Sequence, residues 1–127
     1  MTQPAMTDNE RYVEIAEKIG PVVVCERTEL LWNKIGGCWI RRVIGQYGTS
    51  SIISTPLAHA LVEKAAREKL LALPEIMGVE YRDEPTTFPK PDFMVVLIFR
   101  FSPRKYYNGG TSLEALHAAI MGQDDET

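Results

Sequence analysis

Two periods govern the placement of apolar residues along this chain, and the points where one gives way to the other mark its elements. Tyr12, Ile15, Ala16 and Ile19 recur at i, i+3, i+4 and i+7, the single apolar stripe of an amphipathic helix. Thr7 and Glu10 stand before it in the T-x-x-E spacing of a capping box, in which each side chain takes up a free amide of the helix start. Gly20 and Pro21 stop the helix, one tolerating a left-handed residue and the other unable to continue it. From Val22 the pattern turns to strand. Residues 22–25 are extended, Leu30, Leu31 and Trp32 continue them after a kink, Gly36-Gly37 supplies a turn, and residues 38–44 return as the second arm of a hairpin. Residues 45–54 read as a polar, flexible loop.

The helical period returns at Thr55-Pro56, with Thr55 as N-cap and Pro56 in the first turn. Through Leu73, the residues Ala58, Val62, Ala65, Ala66 and Leu73 fall on one face. Glu63, Lys64, Arg67 and Glu68 fall on the other as two i,i+4 ion pairs. Pro74 ends this helix, residues 78–82 form a third strand, and Pro85, Pro89 and Pro91 stiffen the loop that follows. Residues 93–101 (FMVVLIFRF) are the strongest strand, apolar at every position but Arg100 and so in need of cover on both faces. Thr111 and Glu114 repeat the capping-box spacing, Leu113, Leu116, His117 and Ile120 repeat the stripe, and Gly122 closes the last helix. The expected fold is α+β, in the order α-β-β-α-β-β-α. A mainly antiparallel four-stranded sheet would be covered by helices on both faces, a three-layer sandwich. Residues 1–6 form a disordered lead-in, 7–122 one domain, and 123–127 an acidic tail.

Composition narrows the function classes more than it names one. With 127 residues, 45% of them hydrophobic and 24% charged, the chain suits one soluble domain with a core of its own. The apolar run 94–99 is far too short to span a bilayer, and the first twenty residues hold no apolar core of a signal peptide; a cytoplasmic location is expected. The net charge is −3; Asp124, Asp125 and Glu126 supply −3 and the first twenty residues −2, which leaves residues 21–123 at +2. That is no footprint of a nucleic-acid binder. Cys25 and Cys38 could fall opposite each other across the hairpin, but without CxxC spacing they read as two reduced thiols used as small core residues.

No nucleophile elbow, H-E-x-x-H, phosphate loop or G-x-G-x-x-G is present, so no catalytic residue, metal or cofactor is assigned. His59 and His117 lie at or in apolar stripes, where a half-buried histidine with one backbone partner is the simplest reading; an enzyme built on either would need a metal. The segment 102–110 (SPRKYYNGG) is the richer one. Arg100, Arg104 and Lys105 could neutralise an anion, Tyr106 and Tyr107 could stack on a ring, and Gly109, Gly110 and Thr111 deliver the chain to a helix N-terminus whose amides suit a phosphate. The hydroxyl-rich residues 48–51 run toward the other helix start. A nucleotide-like anionic ligand between the two loops is one expectation.

Trp39, Ser54-Thr55 followed by Ala58 and Ala60, and Gly110-Thr111-Ser112 followed by Ala115, Ala118 and Ala119 together resemble the phage ABA sandwich domain family. The resemblance spans residues 14–120. The long 61–73 segment and the Pro-rich 84–91 loop depart from that family's short connections. It implies a phage or prophage origin, host-cell cytoplasm and an α/β/α fold, and it supplies no catalytic residues. The leading expectation is a non-enzymatic phage accessory protein that binds a host or phage protein, an inhibitor of host defence being one concrete version. The alternative is the binding module for a nucleotide-like anion. A homodimer would cover an open sheet edge.

Overall fold

In the computed structural model the described residues are 6–25, 27–45, 50–84 and 92–123. The lead-in at 1–5, Gly48-Thr49, the Pro-rich loop and the tail beyond 123 lie outside them. Helix α1 covers Asp8–Ile19 and its capping box is complete: the Glu10 amide donates to Thr7 Oγ1 at 3.1 Å and the Thr7 amide to Glu10 Oε1 at 3.3 Å. Gly20 ends it at φ 90°, where a side chain would be strained. Ile15 from the predicted stripe is buried, and Tyr12, Ala16 and Ile19 pack beside it.

The hairpin region holds four strands where the sequence predicts two. β1 (Val22–Cys25), β2 (Thr28–Asn33), β3 (Cys38–Val43) and β4 (Ser50–Ile52) form one antiparallel sheet in chain order. Residues 22–32 therefore do not run on through a kink; the chain reverses, and Val22 pairs with Leu30 and Val23 with Glu29. Asn33 builds the β2–β3 turn, its Oδ1 accepting the amides of Ile35 and Gly36 at 3.1 and 3.2 Å while Gly37 takes φ 65°. The supposed loop at 50–52 is β4, with Ile52 opposite Ile40.

Helix α2 covers Thr55–Leu71: Ser54 and not Thr55 is the N-cap residue, though its side chain makes no capping hydrogen bond, and the helix ends at Leu71, before Leu73 and Pro74. Ala58, Val62, Ala66 and Leu70 are its buried residues, and Arg67 pairs with Glu63 one turn back at 2.9 Å. A second antiparallel sheet follows, β5 (Ile76–Glu84), β6 (Asp92–Phe99) and β7 (Lys105–Gly109), with β6 in the middle. The strand predicted over 93–101 stops at Phe99, and Arg100 and Phe101 are exposed. α3 covers Ser112–Met121. Thr111 Oγ1 accepts the Glu114 amide at 3.1 Å, but the Glu114 carboxylate turns to Arg11 of α1 at 3.1 Å, so only half of the second capping box forms.

The fold is thus α+β with the order α-β-β-β-β-α-β-β-β-α and two sheets, not one four-stranded sheet between helical layers. A single core joins them. From the first sheet it takes Val22, Leu30 and Trp39; from the second, Val95 and Leu97; from the helices, residues of all three. α2 touches both sheets, α3 packs on β6 and β7, and α1 joins α2 to α3. Each sheet gives this core one face. On β6 the alternate residue Val96 is also fully buried, but outside the core, between Glu80 and Tyr106 across the strands and Met94 and Ile98 along its own. Two-sided burial of this strand is therefore real, while helical cover on both sides is not its cause.

Candidate functional site

The residues singled out around 102–110 do not converge. Residues 105–109 form an edge strand, so Tyr106 and Tyr107 point to opposite faces: Tyr106 stands across from Val96 and is exposed, Tyr107 across from Val95 and packed against the core. They cannot stack on one ring. Lys105 opens the strand with Nζ 5.7 Å from the centre of the Phe99 ring, and Arg100 and Arg104 are exposed nearby in sequence. Gly109, Gly110 and Thr111 lie at the other end, where the α3 amides are; four residues of strand put about 13 Å between Lys105 and Gly109. Arg100 serves the backbone, its N–H donating to the Glu75 carbonyl at 2.9 Å. The glycines have a packing reason to be there. A Cβ on Gly109 would stand 2.5 Å from the Ala115 nitrogen, and one on Gly110 would stand 2.9 Å from a Glu114 carboxylate oxygen.

Each histidine is engaged with a side chain of α1 and not with the backbone partner expected of it. His117 of α3 sits 2.8 Å from Glu14 Oε1 of α1, a second tie between these helices beside Arg11–Glu114. His59 of α2 donates from Nε2 to Asn9 Oδ1 at 2.8 Å, and the same oxygen accepts the Trp39 indole N–H at 2.8 Å. Its ring stacks on Tyr12 with centroids 4.1 Å apart. Asn9 thus ties α1 to the first sheet and to α2 through one acceptor atom. Among the described residues no group of three His, Cys, Asp or Glu side chains stands close enough to hold a metal. Cys25 and Cys38 are free thiols, but neither is a core residue, Cys25 being exposed and Cys38 half-buried, and they are not cross-strand partners: Cys25 stands opposite Thr28 and Cys38 opposite Asn33.

His59 carries a pH signature. Burial lowers its pKa below the ordinary histidine value, with Asp8 opposing. The folded state therefore binds fewer protons than the unfolded chain between that lowered value and about 6.5. The stabilisation is full above about pH 6.5 and is lost as pH falls toward the folded pKa. The melting temperature is expected to drop between pH 7.5 and 5.5, and to drop less in His59→Gln, which keeps an N–H donor without a titrating ring. Equal slopes in the two proteins would remove His59 from the account.

The surface that stands out is the outer face of the first sheet. The register aligns Leu31 with Ile40 and Ile40 with Ile52, an apolar row straight across β2, β3 and β4. None of the three belongs to the core, and Ile52 is 76% exposed. The next row on this face holds Val23, 60% exposed, and a Glu29–Arg42 ion pair of 2.6 Å. Apolar residues flanked by a fixed charge pair can bury area against a partner and set its orientation. The sequence carried one sign of this row: Leu30, Leu31 and Trp32 are apolar on both faces of a strand, more than a one-sided core needs. Ile52 lay hidden in a segment read as loop.

None of the described helices is long and apolar enough to cross a membrane. No family model matches the chain, and neither the curated proteins nor the solved structures include a match to it.

Proposed function

We propose that this chain is a small non-enzymatic accessory protein, of the kind phages and prophages carry, that acts by binding another protein through the outer face of its first sheet. Inhibition of a host defence system is one concrete form of that role. The observation that carries the reading is the Leu31–Ile40–Ile52 row, which lies outside the core on a strand-paired surface. An apolar centre with a charged rim is the usual anatomy of a transient protein interface. His117 is held against Glu14 and His59 against Asn9 between helices, which suits a scaffold better than a catalyst.

Affinity capture of the tagged chain from infected cells is expected to recover a stoichiometric protein. Ile52→Arg combined with Val23→Glu is expected to abolish that capture. Both positions are largely exposed, so each change should shift stability by no more than about 0.5 kcal/mol. Recovery of nothing under several conditions, or equal recovery by the double variant at unchanged melting temperature, would count against the reading.

A further inference from the structure

The core-facing side of the second sheet does not close completely against α2 and α3. Between them lies a cleft of about 300 Å³, walled among others by Arg67 of α2, Tyr81 and Arg82 of β5, Phe93 of β6, and Ser112 and Ala115 of α3. These residues come from four elements and are far apart in sequence. The volume is about twice that of a cavity that holds benzene, enough for one ring and one charged group.

The wall has a definite chemistry. Arg67 is fixed over Tyr81, its guanidinium carbon 4.3 Å from the ring centre, while Nη2 donates to Glu63 Oε1 at 2.9 Å. Arg82 follows Tyr81 on β5, so its side chain leaves on the other face of the strand, where Nε and Nη2 donate to one oxygen of Glu80 at 3.0 and 2.7 Å. Neither Glu63 nor Glu80 is part of the wall. Glu63 therefore orients the Arg67 guanidinium from outside the cleft, and a single hydrogen bond to Glu63 leaves most of the five Arg67 donors for another acceptor. Burial raises the Tyr81 pKa, with Arg67 opposing and Glu63 adding, so its hydroxyl stays a neutral donor at physiological pH. Phe93 supplies a second aromatic surface, and Ser112 is the first residue of α3, at the positive end of the helix.

We propose that this cleft binds a small ligand with a flat apolar body and one phosphate or carboxylate, the body against Tyr81 and Phe93 and the anion on Arg67. The ligand class is close to the one the 102–110 segment suggested, but the site is a different one. It lies on the second sheet and does not depend on the protein-binding face of the first.

Titration of the isotope-labelled full chain by NMR tests it, with phenyl phosphate, benzoate and inorganic phosphate as probes. Phenyl phosphate or benzoate is expected to give saturable shifts at the amides of Tyr81, Phe93, Ser112 and Ala115, with inorganic phosphate clearly weaker. Arg67→Gln should weaken binding roughly ten-fold or more, the loss of one charge-assisted hydrogen-bonding group, and Arg67→Lys should recover part of it. The absence of saturable shifts in the unaltered protein at millimolar probe would overturn the proposal. So would inorganic phosphate binding as tightly as the aryl probes, or an unchanged affinity in a folded Arg67→Gln variant. The titration of the unaltered protein decides the matter even if a variant fails to fold.

Discussion

Trp39→Ala is expected to be the most damaging single substitution in the chain, costing about 4 kcal/mol of stability. The indole is fully buried, and it is the largest side chain in that state. It stands edge-on to Trp32 at 5.2 Å, edge-on to His59 at 6.1 Å, and donates its N–H to Asn9 at 2.8 Å. Truncation removes packing between the first sheet and the helices and takes one of two donors from the Asn9 oxygen. Because folded domains hold only about 5–15 kcal/mol in total, the variant should lie near the edge of folding. Urea unfolding would read the loss as a lower midpoint at an unchanged slope. Asn9→Ala provides the comparison. It breaks the hydrogen bonds and spares the packing, so a cost of about 1–3 kcal/mol is expected, for two donors left without their acceptor. A loss below about 1 kcal/mol in Trp39→Ala would mean that the two layers do not depend on this residue.

Gly109→Ala should follow, at about 3 kcal/mol, from the opposite cause. Nothing is removed; a methyl group is forced into occupied space. Its carbon would stand 2.5 Å from the Ala115 nitrogen and 2.6 Å from Glu114 Cβ, both on the first turn of α3. Backbone cannot swing aside as a long side chain can, so α3 must lift from β7. The Arg11–Glu114 bridge to α1 would be disturbed with it. Gly78→Ala is the control within the same sheet, since a Cβ there meets nothing within 4 Å. A Gly109→Ala protein that unfolds at the same urea midpoint as Gly78→Ala would show that α3 does not lie so close to β7.

Most of the helical framework was legible because its determinants are local. Thr7 and Glu10, Gly20, Thr111 and the alanine face of α2 act within one or two turns of chain, and each does in the structure nearly what its spacing implies. The exceptions are instructive. Glu114 leaves Thr111 half-served because Arg11, distant in sequence, offers it a charged partner. Ser54 replaces Thr55 as N-cap, a one-residue shift of the kind helix ends commonly show.

The strands were read less well, and the reason is physical. Alternation says which residues share a face, but not which strand lies alongside. Residues 22–32 contain polar Arg27, Thr28 and Glu29, which fit a kink or a reversal equally; the pairing of Val22 with Leu30 decides for reversal. β4 is three residues long, too short for any period. β7 was hidden in a segment rich in turn and charged residues, though Lys105-Tyr106-Tyr107 has strand-forming aromatics that would have separated its two tyrosines at once.

By its sequence alone, then, this protein determined its three helices, their ends to within one or two residues, the apolar strand β6, and the absence of the familiar catalytic motifs. Tertiary structure alone decided that seven strands divide into two sheets, that each sheet turns one face to a shared core, and that Leu31, Ile40 and Ile52 line up on the outside. It also decided that Arg67, Tyr81, Phe93 and Ser112 meet around one cleft. Caps and stripes are satisfied by neighbours along the chain. Sheet partners and clefts are chosen by residues that meet only once the chain has folded.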